Sequence, residues 1–138
     1  MAVHGGLLRV ETPGNAAVVD LTEGVRSIVA RSGVQAGVAA VFAVGATVGI
    51  TTTEYEPGTV ADLQALLDRL IPPEGEYEHN VRNHDTNAHS HLRAALIGPS
   101  ETIPVVGGEL GLGTWQQVVL VDFDNRPRER VISVQVLS

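Results

Sequence analysis

Cysteine and lysine are both absent from this chain, and aromatic residues are scarce. Without cysteine there is no disulfide, no thiolate nucleophile and no cysteine-ligated zinc. All nine basic residues are arginines, which excludes Schiff-base chemistry and the phosphate-loop lysine of nucleotide hydrolases. Any bound phosphate is therefore held by arginine, histidine, hydroxyl groups or backbone N–H groups.

Charge and hydropathy exclude further classes of protein. The formal net charge of −7 argues against nonspecific nucleic-acid binding, which needs an excess of phosphate-neutralising side chains. No apolar run approaches the roughly 20 residues of a membrane span, and the first residues lack a signal-sequence pattern. We expect a cytoplasmic protein of one domain, residues 1–138, that binds neither nucleic acid nor membrane.

Hydrophobic patterning predicts seven or eight strands and two or three helices, an α+β fold built as a two-layer sandwich. One helix is expected after Thr22 as N-cap, with Gly33 as a left-handed stop. Another is predicted over residues 60–70, because residues 59–62 have the form of a capping box. The apolar segment 37–44 indicates a strand buried on both faces, and residues 47–53 are expected to pair beside it.

Four of the five histidines are clustered in one polar segment with little periodicity. They are His79, His84, His89 and His91. We expect a loop here, and a loop of this length in a compact domain is usually functional or disordered. Imidazole can ligate a metal, carry a proton or bind an anion near neutral pH. The alternative is a solvated loop whose histidines are incidental.

A divalent metal, Zn or Mg, is one hypothesis for this cluster. On an extended chain His89 and His91 would point the same way, whereas on a helix they would diverge by about 200°. With His79 or His84 as a third ligand, and Glu54 or Asp85 as an oxygen donor, a site with an open coordination position could form.

An anion site is the competing hypothesis. His91, Arg93 and Ser100 could offer charged donors and a hydroxyl to a phosphate. Glu54 would then be a general base, a hydrogen-bond anchor or an ordinary exposed acid. Trp115 and Gln116 belong either to the core or to a pocket that holds a planar ring. Three arginines near the last turn are interpreted as a solvated rim or a subunit contact: Arg126, Arg128 and Arg130.

Several motifs together resemble a known family. They are Glu54 after a threonine-rich strand, Tyr77-Glu-His79, His91-Leu-Arg93, Gly98-Pro-Ser100, Gly113-Thr-Trp-Gln116 and Asp122-Phe-Asp-Asn-Arg-Pro-Arg128. In this order and spacing they resemble the YjbQ-like family, also called the secondary thiamine-phosphate synthase family. The resemblance covers nearly the whole chain, from about residue 18 onward.

The resemblance implies a mostly antiparallel, jelly-roll-like α+β sandwich that assembles as a homotrimer. It also implies a pocket in which Glu54, His79 and His91 are catalytic. Within this pocket we assign substrate binding to Arg93, Ser100, Trp115 and Gln116. A metal site of His79, His89 and His91 is our own inference from the histidine cluster, since position 89 is not generally histidine in the family. Some members have weak thiamine-phosphate synthase activity, which joins a pyrimidine pyrophosphate to a thiazole phosphate, normally with Mg²⁺.

One departure from the family pattern bears on this function. Most members have a His-Thr pair before the strand that leads to Glu54, whereas this chain has Gly45-Ala46. We infer a swap in which a histidine is lost at position 45 and gained at His89. Two hypotheses therefore stay open, a thiamine-phosphate synthase-like enzyme for a phosphorylated heterocyclic substrate, and a non-catalytic trimer that binds a metal or an anion.

Overall fold

Eight strands and four helices form the chain, whose computed structural model describes all residues from Met1 to Ser138. The strands are β1 (Val3–Thr12), β2 (Ala17–Asp20), β3 (Ala36–Val44), β4 (Val48–Thr53), β5 (Ser100–Val106), β6 (Glu109–Leu110), β7 (Gln117–Asp122) and β8 (Arg128–Leu137). The helices are α1 (Thr22–Ser32), α2 (Pro57–Leu70), α3 (Glu78–Asn83) and α4 (Ala88–Ile97). Every strand pair is antiparallel. None of the helices has both the length and the apolar character that crossing a membrane requires.

Two sheets form the layers of the sandwich, as the sequence predicted. The larger has the order β1-β8-β3-β5-β6 and the smaller has the order β2-β7-β4. A core of 18 buried residues from both sheets and α1 lies between them. On the far side of the smaller sheet, Leu67 of α2 and Ala94 of α4 pack on Val119 and Val121. Helices α2 and α4 therefore cover the smaller sheet, and no helix covers the outer face of the larger one.

This open face corrects the prediction that β3 is buried on both sides. Ala39, Val41 and Ala43 are buried in the core, but Phe42 and Val44 alternate with them and are exposed. The strand that is buried on both faces is instead β7, in which the valine and leucine residues 118–121 are all buried. An apolar run indicates two apolar faces, but neighbouring layers decide whether both are covered.

The prediction that residues 47–53 pair beside β3 is wrong. β4 pairs with β7 in the smaller sheet, so the chain changes sheets at Gly45-Ala46. Gly49 of β4 lies directly under the end of α4. A Cβ atom at this position would lie 3.0 Å from Ile97 and 3.1 Å from the Gly98 carbonyl oxygen. The glycine therefore allows the helix to approach the sheet closely.

The helix starts differ from their predicted caps. Helix α1 begins at Thr22 with Leu21 as N-cap, and the Thr22 hydroxyl accepts a hydrogen bond from the Val118 N–H at 3.0 Å. Helix α2 begins before the predicted capping box, because Glu56 accepts hydrogen bonds from the N–H groups of Gly58 and Thr59, both at 2.8 Å. The stop at Gly33 is confirmed by its left-handed φ of 72°.

Arg130 corrects the interpretation of the C-terminal arginines as a solvated rim. It is buried, and its guanidinium donates to both carboxylate oxygens of Asp122 at 2.7 Å. It also donates to the Thr47 hydroxyl at 2.7 Å. Arg128 pairs with the buried carboxylate of Asp124. These ion pairs join β8 to the end of β7 and to the turn before β4.

Candidate functional site

Three histidines of the segment lie on helices rather than in a loop, His79 on α3 and His89 and His91 on α4, and this decides which side chains meet. Residues two apart on a helix point about 200° away from each other, and residues four apart share a face. On α4, His89 and Arg93 therefore lie on the inner side and are buried. His91 lies on another side, where it meets His79 of α3 and the turn before β4.

His79 and His91 form a pair. Their ring centroids are 4.7 Å apart and their planes are tilted by 50°. The Nδ1 atom of His91 lies 3.2 Å from the carbonyl oxygen of Ala46. The Nδ1 atom of His79 lies 3.2 Å from the side-chain oxygen of Asn80. This oxygen also accepts the backbone N–H of Ala88 at 3.0 Å, which identifies it as oxygen and not nitrogen.

These contacts determine the tautomers of the two rings. An oxygen acceptor beside Nδ1 requires that Nδ1 carry the proton, so Nε2 of each neutral ring keeps its lone pair. Histidines that ligate metals commonly donate one ring N–H to a carbonyl or carboxylate in this way. The pair thus offers two nitrogen atoms as proton acceptors or metal ligands.

The chain alone does not assemble the three-histidine metal site. No group of three or more histidine, aspartate or glutamate side chains is arranged to hold a metal ion. His89 is separated from the pair by the body of α4, so the inferred swap from position 45 to His89 does not rebuild the ligand set. His84 is exposed at the end of α3 in a left-handed conformation, with φ of 52°. A zinc site usually has at least three protein ligands, and one chain supplies two here.

Glu54 lies at the opposite end of β4 from the histidine pair. Ala46 precedes this six-residue strand and Glu54 follows it, and a strand of that length spans about 20 Å. Glu54 and Trp115 instead share an open cleft of about 420 Å³, together with Asp20, Tyr55 and Glu56. The sequence-predicted catalytic residues are therefore divided between two regions of the chain.

Trp115 belongs to the surface of this cleft rather than to the core, because it is 73% exposed. Gln116 is tied to the backbone and to β4. Its oxygen accepts the Gly113 N–H at 3.1 Å, and its nitrogen donates to the Thr52 hydroxyl at 3.1 Å. Hydrogen bonds from the N–H groups of Gly58 and Thr59 lower the pKa of Glu56 below its usual value. The cleft walls are thus aromatic and acidic, with no arginine among their residues.

Arg93 and Ser100 do not join His91 in an anion site. The Arg93 guanidinium donates to the Ile71 carbonyl at 2.8 and 3.1 Å and to Asp68 at 3.0 Å. Ser100 is exposed at the start of β5, opposite Phe42. The turn before it presents carbonyls, because Gly98 and Pro99 accept hydrogen bonds from the N–H groups of Ile50 and Ala43. These oxygens do not attract a phosphate.

Sequence reasoning missed a second cavity, on the His89 side of α4. It has a volume of about 370 Å³, and its walls include Asp68, Thr86, Asn125 and Asn15 besides His89 and Arg93. Burial, and next the charge of Arg93, lower the pKa of His89, which is therefore neutral at pH 7. No sequence signal connects these residues, since only the packing of α2 and α4 against the turn after β7 brings them together.

The fold is a small α+β sandwich of two antiparallel sheets, and a pair of histidine side chains lies beside the turn that joins the sheets. A family profile described as UPF0047 protein YjbQ-like matches residues 7–138. The chain belongs to this family.

Similar proteins come from archaea and bacteria. A UPF0047 protein of Methanothermobacter thermautotrophicus is 36% identical over 136 residues, which cover 99% of this chain and 93% of that protein. A UPF0047 protein of Mycobacterium tuberculosis is 39% identical over 115 residues, which cover 83% of this chain and 84% of that protein.

Solved structures share the fold. A YbjQ-like protein of unknown function from Sulfolobus solfataricus has a TM-score of 0.90 and 31% identity, with 99% of each chain covered. A hypothetical protein from Aeropyrum pernix also has a TM-score of 0.90, with 35% identity and coverage of 97% of this chain and 98% of that one.

Proposed function

We propose that the chain is a homotrimeric enzyme for a small heterocyclic molecule and that His79 and His91 are its reactive groups. The observation that carries this proposal is the hydrogen bonding of the pair. Each Nδ1 is held by an oxygen acceptor, so both Nε2 atoms are free and lie on neighbouring rings. Two imidazoles whose orientation is fixed by Nδ1 hydrogen bonds are suited to exchange a proton with a substrate at Nε2.

A divalent metal fits the pair as a partial ligand set. His79 and His91 would provide two nitrogen ligands, with the remaining positions filled by solvent, substrate or a neighbouring subunit. Zinc suits imidazole better than magnesium does. A bound zinc ion would supply an activated water molecule or polarise a substrate oxygen. The second candidate function, a non-catalytic metal-binding trimer, rests on this same pair.

The cleft of Glu54 and Trp115 is the proposed place for a ring. An aromatic face stacks on a heterocycle, and a carboxylate accepts a hydrogen bond from a ring N–H. A phosphate group has less support than the ring, because Arg93 is bound to Asp68 and Ile71. The acidic walls of the cleft would also repel a phosphate. Thiamine-phosphate synthase activity is therefore a narrower proposal than a heterocyclic substrate.

The homotrimer is supported by the open face of the larger sheet. This face carries exposed apolar side chains that no helix covers: Val3, Leu7, Phe42, Val44 and Val106. Large exposed apolar side chains on a sheet face that nothing in the chain covers commonly mark a protein interface. A neighbouring subunit is the occupant proposed here.

Zinc titration and an activity assay test the proposal together. We expect the wild type to bind Zn²⁺, and His79→Ala and His91→Ala each to weaken this binding at least tenfold. His84→Ala is the matched control, because His84 is exposed in the same segment and should leave binding unchanged. Turnover of a pyrimidine pyrophosphate with a thiazole phosphate should fall in the same two variants.

The outcomes separate the two candidate functions. Zinc binding without turnover of any heterocyclic substrate supports the non-catalytic alternative. Equal zinc affinity and equal activity in the wild type, His79→Ala and His91→Ala would contradict both, because the pair would then have no chemical role.

A further inference from the structure

We propose that the cavity on the inner side of α4 is a second binding site, for a small uncharged molecule of the amide, lactam or pyrimidine-base type. Its floor is formed by His89 and Arg93, and its rim by Asn15, Asp68, Thr86 and Asn125. The volume of about 370 Å³ is at the lower end of the range for small-molecule sites, about 300–1,000 Å³. This site goes beyond the function proposed for His79 and His91.

His89 is the first observation that points to a ligand. Its side chain lines the cavity and the residue is only 6% exposed. Its Nδ1 atom is the only buried side-chain nitrogen or oxygen atom of the chain without a hydrogen-bond partner. A buried N–H without an acceptor is rarer in proteins than an unpartnered acceptor. The proton is therefore assigned to Nε2, for which the chain provides no hydrogen-bond partner, so Nε2 can donate to a ligand.

Arg93 provides the second donor. Its Nε and Nη2 atoms are used by Ile71 and Asp68. Its Nη1 atom bonds to no protein atom and is not sealed from solvent, although the residue is only 3% exposed. A rigid guanidinium with one free edge on the cavity floor is suited to a carbonyl or ring-nitrogen acceptor.

The rim supplies groups of the opposite kind. One carboxylate oxygen of Asp68 accepts from Arg93 and the other has no partner within the chain. Asn125 donates to the Thr86 hydroxyl at 2.9 Å, which leaves the amide oxygen of Asn125 free to accept. A ligand therefore meets donors on the floor and acceptors on the rim. An acceptor beside an N–H donor is the pattern of amides, lactams and pyrimidine bases.

The charges around the cavity favour an uncharged ligand. The positive charge of Arg93 is paired with Asp68, and the nearby carboxylate of Asp124 is paired with Arg128. An added anion would therefore meet no unpaired positive charge, and an added cation no unpaired negative charge.

Imidazole NMR of the intact protein tests this site. Long-range ¹H–¹⁵N spectra resolve the nitrogen atoms of the five histidines, and uracil is titrated as the probe at pH 7.5. We expect the His89 nitrogens to shift with saturation. We expect 1,3-dimethyluracil, which keeps both carbonyls and lacks N–H donors, to bind at least tenfold more weakly.

Two variants locate the binding. His89→Phe keeps a ring of similar size and removes both nitrogens, and Thr86→Val changes only the exposed rim. Each should weaken uracil binding at least fivefold, and His84→Phe, outside the cavity, should not. If His89→Phe does not fold, Thr86→Val alone decides. Zinc binding by His79 and His91 should persist in Thr86→Val, so failure here is distinguishable from failure of the proposed function.

Three results would overturn the proposal. The first is the absence of any His89 shift with uracil, which means that the cavity holds only water. The second is a stronger response to inorganic phosphate than to uracil. The third is equal binding of uracil and its dimethyl derivative.

Discussion

Arg93 was predicted to bind an anion, but its contacts indicate a structural role. The side chain is almost fully buried and joins the end of α2 to the inner side of α4 through Ile71 and Asp68. The Ile71 carbonyl is a helix-terminal acceptor, a group that otherwise lacks an intrahelical partner. Arg93 therefore stabilises the packing of two helices over the smaller sheet.

Replacement of Arg93 should reduce stability. In Arg93→Met the aliphatic stem is retained, but the charged hydrogen bonds to Ile71 and Asp68 are lost. We expect the free energy of unfolding to fall by about 1.5–3 kcal/mol, the usual contribution of hydrogen bonds to a charged group. Arg82→Met is the matched control, because the Arg82–Glu78 pair is exposed and should contribute below about 1 kcal/mol.

Urea denaturation of both variants measures the difference. Equal loss in Arg93→Met and Arg82→Met would contradict the structural role of Arg93. In that case Arg93 would again be a candidate for an anion site.

Glu56 controls the start of α2, and its role predicts a pH dependence. Its carboxylate caps the helix, and the folded state lowers its pKa below the reference value of 4.5. A carboxylate with a lowered folded-state pKa stabilises the protein above the unfolded pKa, and this stability is lost as the pH falls through the folded pKa. Glu56→Ala should therefore lower the thermal midpoint at pH 7, and the difference should shrink below about pH 4.5.

Asp62→Ala is the control for this prediction. Asp62 occupies the position that the sequence pattern assigned to a capping box, and it is exposed in the first turns of α2. Its replacement should leave the thermal midpoint unchanged. A larger effect of Asp62→Ala than of Glu56→Ala would show that helix α2 begins at the predicted cap after all.

The Arg130–Asp122 ion pair connects β8 of the larger sheet to the end of β7 in the smaller sheet. Arg130→Met leaves the Asp122 carboxylate buried with the Thr12 hydroxyl as donor but without its counter-charge. Removing one partner of a buried pair costs about 3–5 kcal/mol. Arg126→Met is the control, because Arg126 is exposed. Arg130→Met should unfold at a clearly lower temperature than Arg126→Met. Similar stabilities would mean that protonation or solvation of Asp122 compensates for the missing counter-charge.

The outer face of the larger sheet governs the proposed assembly of the whole molecule. Phe42 lies on this face and is 45% exposed in a single chain. Phe42→Glu should convert a trimer to a monomer at micromolar concentration, because a charge would be buried without a partner. Leu70→Glu on α2, where the leucine is 61% exposed, is the control and should remain trimeric.

Analytical ultracentrifugation measures the mass of each variant, and circular dichroism checks that each one is folded. A monomeric wild type would contradict the homotrimer. A trimeric, folded Phe42→Glu would place the interface elsewhere on the molecule.

Patterns with a local physical cause were predictable from the amino-acid sequence. Alternation and apolar runs located the strands, because side chains of a strand alternate in direction. Gly33 was identified as a helix end because a left-handed residue is needed there, and glycine adopts that conformation readily. The order of the motifs was also sufficient to identify the YjbQ-like family, and the family profile match over residues 7–138 bears this out.

The grouping of the site residues depended on tertiary structure. The sequence left the start of α4 uncertain by about one turn, and this start decides whether His89 lies beside His91 or beside Arg93. Residues two apart share one face of a strand but lie on different faces of a helix. The change of sheet at Gly45-Ala46 separated Glu54 from the histidine pair by the length of β4. Burial then assigned Arg93 and Arg130 to ion pairs within the fold. The sequence therefore determined which chemistry is available, and packing decided which groups share a site.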